Sequence, residues 1–157
     1  MASLLALTQS QPRRTVAAGE ALTTAGDPGD GGLYVLESGR LTVEREGVVI
    51  ATISEPGALV GEMSVLLGID HSATVRAAAA SVVRVIDDAV AFLERSPLVA
   101  LEVATLACAR LDATSALLVE LRQQSAGKSG EHTMLGRILN ALVEPPPRRR
   151  PVVRTHE

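Results

Sequence analysis

The sequence predicts a mainly β fold with flanking helices: a β-sandwich or β-roll with an N-terminal helix and a long C-terminal helix. Two observations carry this prediction. From about Thr15 to Asp87, short runs rich in Val, Ile and Leu are separated every few residues by Gly, Pro, Asp or Ser, which is typical of many short strands. From Asp87 onward the apolar period changes to that of helices.

Each β-forming run is short and is bounded by turn residues. The Glu46-Gly47 step fits a tight hairpin, because glycine adopts positive φ without penalty. A helical turn is expected near Gly61, between two of the strands. The predicted strands are Leu33–Leu36, Leu41–Glu44, Val48–Ile53, Thr74–Arg76 and Ser81–Ile86.

Two helices are predicted after the strands. Asp87 and Asp88 can cap a short helix that runs to about Arg95. Ser96 then precedes a second helix with Pro97 at its first position, and no Gly or Pro interrupts it until about Ser125. Leu111, Leu118 and Arg122, with Thr114, Leu117 and Leu121, form adjoining rows at helical spacing. One face of this helix can pack on the roll and another can pair with a second copy; a purely intramolecular core helix is the alternative.

The predicted organisation has three parts. Residues 1–14 form an N-terminal helical segment, and residues 15–125 form the β-roll with its C-terminal helices. Residues 126–157 hold a short amphipathic stretch, Thr133 to Val143, and a Pro- and Arg-rich tail that is expected to be extended and solvated.

Composition excludes several classes of function. The 157 residues carry a formal net charge of -3, so no basic footprint for nucleic acid is present. Tyr34 and Phe92 are the aromatic residues, which disfavours base stacking on a single strand. Cys108 is alone, so neither an intramolecular disulfide nor a cysteine-based zinc site is expected. No signal peptide or membrane helix is apparent, and we expect a cytoplasmic protein.

The most informative stretch runs from residue 60 to residue 77. Gly61, Glu62, Met63 and Ser64 read as a helical turn whose small residues let backbone N–H groups point at an anion. Glu62 is the carboxylate of that turn, and it can accept hydrogen bonds from a sugar hydroxyl. About ten residues later come His71, Ser72, Ala73 and Thr74, where the next strand begins. A phosphate cradle beside a ribose acceptor indicates a nucleotide pocket.

This stretch resembles the phosphate-binding cassette of the cyclic nucleotide-binding domain family, the type found in catabolite activators and regulatory subunits of protein kinase A. Gly61-Glu62, Ser72-Ala73-Thr74 and Val75-x-Ala77 match the cassette at its spacing. The resemblance extends over about Arg14 to Arg122 and includes the run from Leu33 to Leu41. It implies a jelly-roll (double-stranded β-helix) β-roll with an N-terminal helix and a long C-terminal helix, which binds cyclic AMP or cyclic GMP without a metal.

The sequence departs from the cassette at two neighbouring positions, of which residue 71 matters more. His71 stands where the family has an arginine that pairs with the cyclic phosphate. Arginine is a permanent cation with a planar fork of donors, whereas an ordinary histidine is mostly neutral at pH 7. Asp70 stands where the family usually has proline, and its charge can repel phosphate or hold His71 protonated. His71 is therefore either a weak or pH-dependent anion contact or an ordinary surface residue of a vestigial pocket.

Thr114 and Ser115 lie midway along the long helix. In catabolite-activator-like members, a Thr-Ser pair at the equivalent place contacts adenine, so the resemblance implies a base contact here. The alternative is that both hydroxyls bond back to the previous turn of their own helix.

We expect a regulatory sensor module, not an enzyme, in which a cyclic nucleotide acts through the C-terminal helices. A homodimer through the long helix and a protein partner are expected, whereas a membrane or nucleic-acid partner is not. No catalytic constellation is found, and too little chain follows the long helix for a helix-turn-helix. The alternative function is a dimeric interaction scaffold that has kept the fold and lost the ligand.

Overall fold

The structure, a computed structural model, describes residues 3–124. These residues divide into two compact units after Val103. The first unit holds all six strands and begins with helix α1 (Leu4–Leu7). The strands are β1 (Arg13–Val16), β2 (Ala21–Thr23), β3 (Leu33–Arg45), β4 (Val48–Ile53), β5 (Leu59–Val60) and β6 (Thr74–Ile86).

Two long antiparallel strands organise the sheet. Strands β3 and β6 have 13 residues each and pair with one another over most of their length. The sheet order is β1-β6-β3-β4, with β2 also paired to β6 and β5 also paired to β3. Each long strand thus pairs with different short strands at its two ends, which rolls the sheet around one core. The predicted β-roll with flanking helices is confirmed.

The core occupies the inner face of this roll. Along β6 buried and less buried residues alternate over 74–77 and 81–84, as the period of two along a strand requires, whereas Leu33 to Leu36 at the start of β3 are all buried. Buried residues of both strands meet residues from the shorter strands in one buried cluster: Val16, Leu22, Tyr34, Leu36, Leu41, Val60, Val75, Ala77 and Val83.

Where the sequence predicts two pairs of strands, the structure has one continuous strand each time. The Leu33–Leu36 and Leu41–Glu44 runs both lie in β3, and the Thr74–Arg76 and Ser81–Ile86 runs both lie in β6. Register shifts around residues 36 to 41 mark irregularities in β3 in place of a turn. The Glu46-Gly47 hairpin is confirmed, with both residues at positive φ.

The helices follow the predicted positions closely. Helix α2 (Glu62–Leu67) lies between β5 and β6, and α3 (Ala89–Arg95) is capped by the Asp88 carboxylate, which accepts from the Ala91 N–H. Helix α4 (Pro97–Gln124) begins at Pro97 as predicted, and Val99 and Val103 are its buried residues. Within residues 3–124, no helix is long and apolar enough to cross a membrane.

The N-terminal helical segment is shorter than expected. Helix α1 covers Leu4–Leu7, and strand β1 already begins at Arg13. The predictions made for residues 126–157 lie outside the described residues.

Gly39 sits at the irregularity of β3 and allows β6 to pass closely. Its φ is +104°, and a Cβ added there would lie 2.6 Å from Ser81 Cα. The Ser81 hydroxyl accepts from the Arg40 N–H (3.0 Å) and donates to the Ala79 carbonyl (2.8 Å) at the same place. Glycine at this position is therefore a packing requirement as well as a conformational one.

We expect Gly39→Ala to destabilise the protein by at least about 2 kcal/mol, because both the backbone conformation and the β3–β6 contact must change. Gly47→Ala is the matched control. Gly47 also has positive φ (+78°), but a Cβ there meets nothing within 4 Å, so its cost should be about 1 kcal/mol. Urea unfolding measures both; equal costs would contradict the packing argument.

Candidate functional site

The 61-to-74 segment folds as a short helix between two strands, as predicted. Gly61 precedes α2 in the left-handed conformation with φ of 96°, and no side chain caps the helix. A Cβ at Gly61 would lie 2.9 Å from the Gly32 carbonyl oxygen and 3.7 Å from the Tyr34 ring. The Ser64 hydroxyl donates to the Gly61 carbonyl at 2.9 Å. The turn at Gly61 is therefore fixed directly against the beginning of β3.

The other end of the segment is fixed by the loop between β2 and β3. The His71 N–H donates to the Asp27 carbonyl (3.0 Å), and the Gly26 N–H donates to the His71 carbonyl (2.8 Å). In the middle of the loop, a Cβ on Gly29 would lie 3.2 Å from Ser64 Cβ and 3.3 Å from the Ile69 carbonyl oxygen. Residues 26–32, which we call the buttress loop, therefore contact the segment at both ends and in the middle.

His71 is buried, with 9% of its surface exposed. His71 is therefore not an ordinary surface residue, since its backbone also pairs with the buttress loop; a vestigial pocket stays the alternative interpretation of this position. Among residues 3–124, no side-chain hydrogen bond or ion pair engages the imidazole. Among the described residues, Arg84 Nε is the buried side-chain atom without a hydrogen-bond partner. The ring nitrogens of His71 therefore keep access to solvent, which makes the ring a candidate ligand contact.

Asp30 and Tyr34 extend the site, and the sequence reasoning missed both. Asp30 Oδ1 accepts from the Gly32 N–H (2.9 Å), and its Oδ2 accepts from the Tyr34 hydroxyl (2.6 Å). Partial burial acts to raise the pKa of Asp30, but the bonds from Tyr34 and Gly32 and the charge of His71 hold it below its usual value. Burial and the Asp30 carboxylate raise the pKa of the Tyr34 hydroxyl. Asp30 is thus a fixed carboxylate with an electrostatic interaction with His71.

The remaining cassette residues line the start of β6. Ser72, Ala73 and Thr74 are half-buried. The Thr74 hydroxyl accepts from the Ala25 N–H at 3.0 Å, next to the buttress loop. On α2, Glu62 is half-buried, Ser64 is buried and Met63 is 47% exposed. Gly61, Ser64, His71 and Thr74 thus all contact the loop between β2 and β3.

Arg76 does not replace the missing arginine of the cassette. Its Nη1 donates to the Gly19 carbonyl at 2.7 Å, and its Nε lies 3.8 Å from Glu44 Oε1. Strand alternation places it opposite the buried Val75 and Ala77. Its guanidinium is thus engaged away from the inner face of the roll.

Thr114 and Ser115 lie on α4 in the second unit. The Thr114 hydroxyl donates to the Arg110 carbonyl and the Ser115 hydroxyl to the Leu111 carbonyl, both at 2.8 Å. This is the back-bonded arrangement weighed as the alternative to a base contact. In residues 3–124, no cluster of three or more His, Cys, Asp or Glu side chains is placed to hold a metal ion.

We expect Tyr34→Phe to cost about 1 kcal/mol at pH 7, because it removes the hydrogen bond to the Asp30 carboxylate and keeps the ring. The pKa of Asp30 lies below its ordinary 3.8 in the folded state, so this contribution is present at neutral pH and is lost as pH falls below about 3.8. Urea unfolding at pH 7, 5 and 3 measures it. A cost that stays constant or grows in acid contradicts the assignment.

No curated protein sequence matches the chain. The crystal structure of the Thermus thermophilus catabolite activator protein is similar at 28% identity and a TM-score of 0.61, covering 88% of this chain and 81% of that one. The N-terminal domain of a Streptomyces coelicolor transcriptional regulator is similar at 29% identity and a TM-score of 0.52, covering 69% and 81%.

A third structure supports the fold alone. It comes from work on a cyclic-GMP-dependent signalling pathway that regulates bacterial phytopathogenesis, with 22% identity, a TM-score of 0.59 and coverage of 69% and 91%. The family model of the cyclic nucleotide-binding domain matches residues 13–94, which include the whole buttress loop and the 61-to-74 segment. The chain belongs to the cyclic nucleotide-binding domain family.

Proposed function

We propose that this chain is a ligand-responsive regulatory module that binds a cyclic nucleotide, cyclic AMP or cyclic GMP, between the Gly61 turn and the start of β6. The observation that carries the proposal is the imidazole of His71, a residue that is 9% exposed and whose ring makes no side-chain hydrogen bond or ion pair in residues 3–124. It stands at the cassette position where the family has its phosphate-binding arginine. Gly61, Glu62, Met63, Ser64, Ser72, Ala73 and Thr74 complete the proposed site.

The substitution of histidine for arginine makes this a weak site. A charge-assisted bidentate contact is worth roughly 2–4 kcal/mol more than a single neutral donor, which corresponds to about 30- to 1000-fold in affinity. Protonation of His71 restores one charge, so binding should strengthen as pH falls. The base contact that the resemblance implies for Thr114 and Ser115 requires that both hydroxyls leave the carbonyls of their own helix.

A route to the C-terminal helices starts at the buttress loop. The Ala89 N–H at the start of α3 donates to the Gly31 carbonyl at 3.0 Å, so the loop that contacts His71 also contacts α3. Ligand binding then shifts the equilibrium between two positions of these helices. The shift in free energy equals the difference between the ligand's binding free energies for the two positions. In this proposal the long helix α4 joins two copies, and the C-terminal helices engage a protein partner.

The second candidate function is a ligand-free interaction scaffold. Exposed apolar side chains favour it: Val48, Val49 and Ile50 on β4 are 55–61% exposed, and Leu111, Leu117 and Leu121 on α4 are 47–60% exposed. Exposed apolar patches of this kind mark interaction surfaces. The two functions differ in whether the roll binds a ligand.

Calorimetric titration with cyclic AMP and cyclic GMP at pH 6 and pH 8 separates the two functions. We expect saturable binding that is tighter at pH 6 than at pH 8, because a histidine that contacts phosphate ordinarily gains positive charge over this range. Absence of heat at millimolar ligand at both pH values, in the wild type and in His71→Arg, supports the scaffold.

His71→Arg should tighten binding about 30- to 1000-fold and abolish most of the pH dependence between pH 6 and 8. Asp70→Arg is the control, because it adds positive charge at the exposed neighbouring residue without occupying the place of His71. An equal gain from both variants would show that general charge, and not the His71 position, controls affinity.

Glu62→Gln in the His71→Arg background tests the ribose contact. We expect about a tenfold loss of cyclic AMP affinity, because the amide is a poorer acceptor for the sugar hydroxyl than the carboxylate is. The matched control is the 2′-deoxy analogue, which lacks that hydroxyl and should bind both proteins equally. Equal losses for the two ligands mean that Glu62 acts on the fold and not on the ribose.

A further inference from the structure

The proposed site is acidic, which is unusual chemistry for a pocket that must accept a phosphate. Residues 26–32 and 61–74 contain four carboxylates, those of Asp27, Asp30, Glu62 and Asp70, and neither lysine nor arginine. His71 is the single residue of these two ranges that can carry a positive charge. An anion that enters therefore meets a negative field, and the repulsion grows with the charge of that anion.

Asp30 differs from the other carboxylates in how firmly it is held. Hydrogen bonds from the Gly32 N–H and the Tyr34 hydroxyl engage its two oxygens, at 2.9 and 2.6 Å. The Tyr34 ring in turn lies under the Gly61 turn, with its Cδ2 3.7 Å from the position of a Cβ there. Asp27, Asp30 and Asp70 are all exposed, but the two hydrogen bonds of Asp30 hold its carboxylate in one orientation when a ligand arrives.

Asp30 also does not neutralise His71 by direct contact. No His71–carboxylate pair lies within ion-pair distance among residues 3–124, and the hydrogen bonds of Asp30 go to Gly32 and Tyr34. The carboxylate interacts with His71 through space, and its lowered pKa keeps it ionised at neutral pH. Any phosphate held by His71 lies in the field of the same carboxylate.

We propose that Asp30 is a specificity-determining residue that makes the site accept singly charged phosphodiesters and reject doubly charged phosphomonoesters. This inference rests on the proposed function, since it assigns the charge selectivity of the same site. A cyclic nucleotide carries one negative charge, whereas its linear monoester carries nearly two above pH 7. The repulsion free energy from one fixed carboxylate is then about twice as large for the linear monoester as for the cyclic nucleotide.

Three adenine ligands that differ in charge test this inference at pH 8: adenosine, cyclic AMP and 5′-AMP. Asp30→Asn should leave adenosine affinity unchanged, tighten cyclic AMP about threefold and tighten 5′-AMP about tenfold, because the removed repulsion is proportional to ligand charge. Asp70→Asn is the matched control; Asp70 is as exposed as Asp30, but its carboxylate is not held by hydrogen bonds of the kind that Asp30 accepts from Gly32 and Tyr34, so its effect on each ligand should stay below about twofold.

Two further measurements do not depend on that one variant. Asp30→Ser keeps an acceptor for the Gly32 N–H and should reproduce the same charge dependence if Asp30→Asn fails to fold. In the unaltered protein, raising salt from 0.05 to 0.5 M should narrow the preference for cyclic AMP over 5′-AMP, because salt screens repulsion more strongly for the dianion.

The outcomes separate this inference from the proposed function. Equal changes for all three ligands, weaker cyclic AMP binding in both Asp30 variants, or an equal charge dependence in Asp70→Asn would each overturn the role of Asp30. If cyclic AMP binds neither the wild type nor His71→Arg, the proposed function itself fails.

Discussion

The packing of the buttress loop against both ends of the 61-to-74 segment is the constraint on which the site depends. At one end, Gly61 approaches the Gly32 carbonyl so closely that no Cβ fits. At the other end, two backbone hydrogen bonds join His71 to Gly26 and Asp27. These contacts fix the distance between the α2 turn and the start of β6, and they bury His71. Without them, the cassette residues would be near one another only in sequence.

The same loop gives the site its electrostatic character. It carries Asp30, and it presents the Gly31 carbonyl to the first turn of α3. A single segment therefore contacts the phosphate side of the proposed pocket, supplies a fixed negative charge and bonds to the helix that leads into α4. An arginine in the cassette would offset this charge permanently, whereas His71 offsets it only when protonated.

Local sequence patterns were sufficient to predict the fold and much of the local structure of the cassette. The Glu46-Gly47 hairpin, the Asp88 cap and the Pro97 start of α4 follow from short-range backbone chemistry, which one sequence displays directly. The continuity of β3 through Ser38-Gly39 was not predicted, because a glycine at a strand irregularity and a glycine in a turn look alike without the pairing partner. Ser81 is that partner, and it lies far along the chain.

The burial of His71 and the role of Asp30 could also not be predicted from the sequence. Both depend on contacts between the β2–β3 loop and the cassette, which are distant in the chain and have no periodicity to reveal them. An Asp two residues before a glycine in a Gly-rich run is a signal for a turn, and here Asp30 does bond the Gly32 N–H. Its second bond, to Tyr34, is what makes it part of the site.

Nuclear magnetic resonance of the imidazole rings during a cyclic AMP titration tests the central claim most directly. The chain has three histidines, His71, His132 and His156, so two of them serve as internal references. The account predicts that the His71 ring signals shift saturably with ligand and that the shift follows the same binding curve as the amide of Gly61. Saturable binding that leaves the His71 ring unmoved would contradict it.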